Sequence, residues 1–114
     1  MPDSIFTKII KREIPAHIEY EDDDIIAFKD IAPSAPVHIL IVPKRHIATL
    51  NDAGEGDASL LGKIVLVAAR IAKEKGIAAD GYRLIMNCNA DGGQTVFHIH
   101  CHLLGGKNLG GLLH

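Results

Sequence analysis

The sequence predicts an α+β domain: a mostly antiparallel five-stranded sheet with two helices. Three observations carry that reading. Short apolar or alternating segments of strand length recur along the chain. One long segment with helical apolar periodicity separates the third from the fourth. The resulting order, helix, three strands, helix, two strands, is that of an α+β fold. A chain of 114 residues makes one domain, residues 1–114, long enough for a core of its own.

Each element has its own justification. Asp3 or Ser4 can cap a helix over about 4–14, whose apolar residues Ile5, Phe6, Ile9 and Ile10 pair four apart and which Pro15 stops. Ile18 and Tyr20 alternate with polar residues, "EDDD" reads as a solvated turn, and "IIAFKD" follows, so the two segments form a hairpin. The prolines of "APSAP" (32–36) make a loop, because each keeps the residue before it out of the helical region. "HILIV" (38–42), ended by Pro43, suits a buried strand. "NDAGEGDAS" is a polar loop with capping residues for a long helix over about 59–75, stopped by Gly76. "YRLIMNC" (82–88) and "VFHIHCHLL" (96–104) are the last two strands, joined by the turn-rich "NADGGQT". Residues 105–114 form a short glycine-rich tail.

Composition removes several classes of function. Twelve Lys and Arg against fourteen Asp and Glu give a formal charge of −2, with no basic stripe to follow a phosphate backbone, so a nucleic-acid polymer is not an expected partner. Charges interrupt the apolar residues of the N-terminus, and no segment has the length of a membrane span, so neither a signal peptide nor a membrane association is expected. Two cysteines, Cys88 and Cys101, are no disulfide framework, and together these features predict a cytoplasmic protein with free thiols.

The informative stretch is "FHIHCHLLGG". Three of the chain's seven histidines, His98, His100 and His102, occupy alternate positions within five residues. On a strand they share one face with Val96 and Leu104, while Phe97, Ile99, Cys101 and Leu103 form an apolar face suited to packing under a helix. The pleat turns the Cys101 sulfur away from both neighbouring imidazoles, which makes it a core residue and no partner in a Cys–His nucleophile. The imidazoles then face a cleft or solvent. Two chemistries suit such a row. One is a metal site. Residues two apart on a strand are ~6.8 Å apart, so His98 and His102 cannot share one ion, although two adjacent histidines with His38 could. The other is nucleophilic and acid–base work at phosphorus, for which a neutral imidazole is competent near pH 7. "DGGQT" can present backbone N–H groups to a phosphate, but on its own it reads more readily as a hairpin loop and gains weight only from its place beside the histidines. His17, His46 and His114 read as surface or loop residues.

The pattern His-x-His-x-His-x-x in "HIHCHLL", with "IFTKIIKREIPA", "FKDIAPSAPVHILIVPKRHI" and "DGGQTVFHIHCHLLGG" in the same order, resembles the histidine triad nucleotide-binding branch of the histidine triad superfamily, from about Ser4 to Gly106. The resemblance implies a single histidine triad domain and a purine nucleoside phosphoramidase that cleaves the P–N bond of AMP-amine conjugates without metal or other cofactor. It implies that His100 attacks the α-phosphorus to give a nucleotidyl-histidine. It also implies that His102 binds the phosphoryl oxygens and that His98 and His38 orient and tune the site. Gly93, Gln94 and Thr95 are implied at the phosphate or leaving amine, Asp30 with Ile31 at the ribose, Asn87 near the nucleotide, and Phe6 and Ile9 at the base. The tail "KNLGGLLH" lacks the aromatic C-terminus of animal members. A zinc-binding protein, or a nucleotide-binding module with incidental hydrolysis, is the competing reading.

The long helix predicts a homodimer. Its apolar residues, Leu60 through Ala72, spread over roughly 200°, about twice the stripe needed to pack on one sheet. The surplus around Leu61, Val65, Ala69 and Ala72 suits a twofold contact. The resemblance implies the same assembly, with strand 82–88 joining the two sheets.

Overall fold

The computed structural model describes residues 4–112. Helix α1 spans Ile5–Ile10 and begins where Ser4 Oγ accepts the Thr7 N–H at 3.1 Å. Asp3, the other candidate cap, lies outside the described residues, as does His114. α1 stops four residues short of the expected 14, before Pro15 can act. Arg12 adopts φ 63°, Arg12 N–H donates to Ile9 O at 3.1 Å and Glu13 N–H to Lys8 O at 2.9 Å. That pair of bonds is a Schellman ending, unusual here for using arginine at the left-handed position where glycine is common.

Strands β1 (Ile18–Glu21), β2 (Ile25–Lys29) and β3 (Val37–Pro43) follow, then two 3-10 turns at Leu50–Asp52 and Glu55–Asp57. Helix α2 (Ala58–Glu74) ends at Gly76, whose φ of 74° terminates the helix as expected. β4 covers Tyr82–Ile85 and β5 covers Cys101–Gly105. Neighbours run β1-β2-β3-β5-β4, and every pairing is antiparallel, which bears out the fold class.

The middle of the sheet is buried on both faces, which is why "IIAF" and "ILIV" are continuous apolar runs. Ile25, Ala27, Ile39, Ile41, Cys101 and Leu103 point to one face and pack under Ile64, Val67, Ala68, Ile71 and Ala72 of α2. The alternate residues Ile26, Phe28, Leu40 and Val42 point to the other, where Phe6 and Ile9 of α1 cover them. Burying a side chain such as Phe6 is worth roughly 1.5–3 kcal/mol.

Two strands are shorter than expected. Residues 86–88 leave the sheet after β4, and residues 96–100 are not a strand, so the triad strand begins at Cys101 and runs to Gly105, one residue past the expected 104. Pro43 has no N–H to offer a ladder, and beyond it Ile99 N–H turns instead to Ile47 O at 2.8 Å. Phe97 accordingly departs from the apolar face assigned to it and is 47% exposed, whereas Ile99, Cys101 and Leu103 are buried as expected.

Candidate functional site

The register of β3 and β5 assembles the site. His38 pairs with Leu104 and Leu40 with His102, which makes His38 and His102 diagonal neighbours on the α1 face of the sheet. Their rings meet: His38 Nε2 lies 2.9 Å from His102 Nδ1. The Ser34 N–H donates to His38 Nδ1 at 3.0 Å, so that nitrogen is an acceptor and His38 carries its proton on Nε2. His38 therefore donates to His102 Nδ1, and the neutral His102 ring keeps its own proton on Nε2. Asp30 stands beside this pair, its carboxylate 3.5 Å from His38 Nε2, with its other oxygen accepting the Ala32 N–H at 2.8 Å.

His100 has the opposite arrangement. Its Nδ1 lies 2.8 Å from His98 O, and a carbonyl can only accept, so Nδ1 carries the proton and Nε2 presents a lone pair. The ring is buried, packed edge-on against Phe6 at 4.8 Å and beside His102 at 4.9 Å between centroids. His98 takes no direct part in this display. It is 1% exposed, its Nε2–H donates to Pro43 O at 2.7 Å, and its Nδ1 is buried without a hydrogen-bond partner. The row of imidazoles is thus no open face: His38, His98 and His100 are buried, and His102 is half-buried.

Burial dominates the electrostatics and keeps all four rings neutral at pH 7. It lowers the basicity of His38 and His100 against the opposing pull of Asp30, helped in His100 by its bond to His98 O. It lowers His98 as well, despite the bond to Pro43 O. In His102, burial and then the neighbouring His100 and His38 rings bring the pKa down to about 4. Cys101 is inert for the same reason: burial pushes its thiol up to about 11.

The other candidates divide. Ile31 is 91% exposed beside Asp30, at the rim. Thr95 is exposed, and Gly93 takes φ 80° in the loop before the triad. Asn87 braces that loop by donating to Gly92 O at 2.6 Å. Gln94 is buried and fully used within the structure. Its amide donates to Ala48 O at 2.8 Å and Val96 O at 3.0 Å, its side-chain oxygen accepts from Asn89 N–H, and its own N–H bonds Asn89 O. It shapes the loop and has no side-chain group left to offer a phosphate. Phe6 and Ile9 are buried in the cluster on which His100 rests. Sequence reasoning passed over His46, which donates from Nε2 to Phe97 O at 2.9 Å and sets its ring edge-on to His98. Nothing in its sequence neighbourhood signalled that contact.

Asp30, His38 and His102 each offer a ligand atom within 4.8 Å of the others, a set a metal could use. The expected metal set, two triad histidines with His38, is not the one assembled. In addition, His38 Nε2 and His102 Nδ1 stand 2.9 Å apart in a hydrogen bond, closer than the ~3.3 Å between two nitrogens on one tetrahedral zinc. As it stands, the arrangement offers a lone pair on His100 next to an N–H on His102, a nucleophile beside an anion donor.

Known proteins resemble this chain in sequence and fold. The family model described as HIT domain matches residues 11–109. The purine nucleoside phosphoramidase of Escherichia coli strain K12 is 57% identical over 111 residues, which cover 97% of this chain and 93% of that protein. Among solved structures, a HIT family hydrolase from Clostridium thermocellum superposes with a TM-score of 0.95 at 51% identity, covering 99% of this chain and 98% of the other. A HIT family hydrolase from Legionella pneumophila gives a TM-score of 0.93 at 49% identity, covering 95% and 96%.

Proposed function

The chain belongs to the HIT domain family and is a hydrolase, and on that premise we propose that it is a purine nucleoside phosphoramidase working through a nucleotidyl-histidine on His100. The observation that carries the proposal is the bond from His100 Nδ1–H to His98 O, which leaves Nε2 as the free nucleophile. In the first step Nε2 forms a bond to the α-phosphorus of an AMP-amine conjugate and the P–N bond to the amine breaks, the amine leaving with one proton taken from solvent. The phosphorylated ring is now cationic, and its Nδ1–H bond to His98 O becomes charge-assisted and stronger. In the second step water attacks phosphorus, the bond to Nε2 breaks, AMP departs, and water gives up the proton that balances the first step. His102 Nε2–H would hold a phosphoryl oxygen through both steps, with His38 fixing its tautomer.

The nucleotide would lie with its ribose at Asp30 and Ile31, its phosphate at Gly93 and Thr95, and its base toward Phe6 and Ile9, with Asn87 and Gln94 holding the phosphate loop in shape. The same proposal includes a homodimer, through the exposed side of α2 and the free edge of β4, acting in a reducing cytoplasm where Cys88 and Cys101 stay as thiols. Adenosine 5'-phosphoramidate, offered with a chelator present, should be converted to AMP. Failure to release AMP under those conditions would sink the proposal. Activity that instead required one equivalent of zinc would favour the metal reading through Asp30, His38 and His102.

A further inference from the structure

Residues 96–100 carry two of the three histidines yet form no strand of their own. Three hydrogen bonds from residues 43–48, with a fourth to Gln94 just before the segment, take the place of a ladder. Pro43 O accepts from His98 Nε2 at 2.7 Å, His46 Nε2 donates to Phe97 O at 2.9 Å, Ile47 O accepts from Ile99 N at 2.8 Å, and Ala48 O accepts from Gln94 Nε2 at 2.8 Å.

Their geometry bears on one atom. The carbonyl of His98 and the N–H of Ile99 belong to a single planar peptide, so holding the N–H on Ile47 O aims the carbonyl the opposite way, toward His100 Nδ1. The bond from His46 holds the preceding peptide plane, and its ring, 5.1 Å from that of His98 at 72°, holds the side chain between them. Ile47 is 4% exposed and anchors the segment in the core, whereas His46 is exposed.

We propose that residues 43–48 form a template that sets the tautomer of His100, and that His46 is its positioning residue. The inference rests on the reading of His100 as nucleophile. His46 acts two links away from the reacting nitrogen: it steadies Phe97 O and the His98 ring, these fix the direction of His98 O, and His98 O keeps the proton on His100 Nδ1.

The test compares His46→Leu, which removes the donor, with His46→Gln, whose amide nitrogen reaches about as far as Nε2. AMP release from adenosine 5'-phosphoramidate, AMP affinity, thermal midpoint and the imidazole 15N shifts of His100 are measured on each. His46→Leu should lower kcat ~10- to 100-fold with AMP affinity and thermal midpoint near those of the unaltered protein. Its His100 signals should move from the Nδ1–H tautomer toward a mixture, and His46→Gln should restore both rate and tautomer. The 15N shifts decide the matter. Unchanged His100 shifts in His46→Leu would overturn the proposal, whether its rate held or fell in step with the thermal midpoint. An unaltered protein that released no AMP would count against the phosphoramidase reading instead, and the 15N comparison would still judge the template.

Discussion

His102 shows most plainly how the fold conditions a residue. Burial and its neighbours bring it to about 4, while an exposed imidazole titrates near ~6.5. Between those values the unfolded chain takes up a proton that the folded chain refuses, so stability falls as pH falls through that window and is fully present above it. His38, His98 and His100 are lowered too and add to the same slope. The thermal midpoint should therefore drop between pH 7 and pH 5, and His102→Gln should flatten part of that drop; a midpoint level over this range would contradict the electrostatics. On the proposed mechanism, His102→Ala removes one N–H from the phosphoryl group and should slow AMP release by ~10²–10⁴-fold without abolishing it. Loss as complete as that of His100→Ala would deny the two rings separate roles. The triad was legible in the sequence because alternate histidines are rare. Which nitrogen of each ring is free was not, since Pro43 O and His98 O decide it and every residue type carries the same carbonyl.

At the scale of elements, the order of helices and strands could be read from apolar periodicity, and so could the stop of α2 at Gly76. The ends of α1, β4 and β5 could not. α1 closes on a left-handed arginine that no residue preference announces, and the alternation in 96–100 mimics a strand although Phe97, His98 and Ile99 bond to residues 43–47 outside any ladder. The loop before the triad is packed tightly enough to test. A Cβ on Gly92 would stand 2.5 Å from Cys88 O and 2.9 Å from Cys88 N, both backbone atoms with little freedom to retreat. Gly92→Ala should destabilise the fold by roughly 1–3 kcal/mol and displace the loop that carries Gly93 and Thr95. Denaturant midpoints measure the first effect and the rate of AMP release the second. A variant equal to the original in both would show that the loop accommodates the change.

For the molecule as a whole, burial of the middle of the sheet on both faces explains why the imidazoles lie under α1 and not in the open. It also sharpens the dimer argument. Ala72, assigned to the exposed arc of α2, is buried in the core, and the large apolar residues of the helix left exposed are Val65 at 46% and Leu66 at 71%. Among the described residues, β4 has β5 on one side and no strand on the other. Light scattering at micromolar concentration should give twice the chain mass, and Val65→Glu should shift it toward the single chain; a monomer mass for the unaltered protein would rule out the assembly. No helix among the described residues is long and apolar enough to cross a membrane. The central claim, that phosphorus is passed through His100, is tested most directly on the intact molecule. Rapid mixing with adenosine 5'-phosphoramidate, a quench in neutral denaturant and mass measurement should show a transient species heavier by one adenylyl group, mapped by peptide analysis to His100 and missing from His100→Ala. AMP release with no such species, or an adduct on any other residue, would contradict the account.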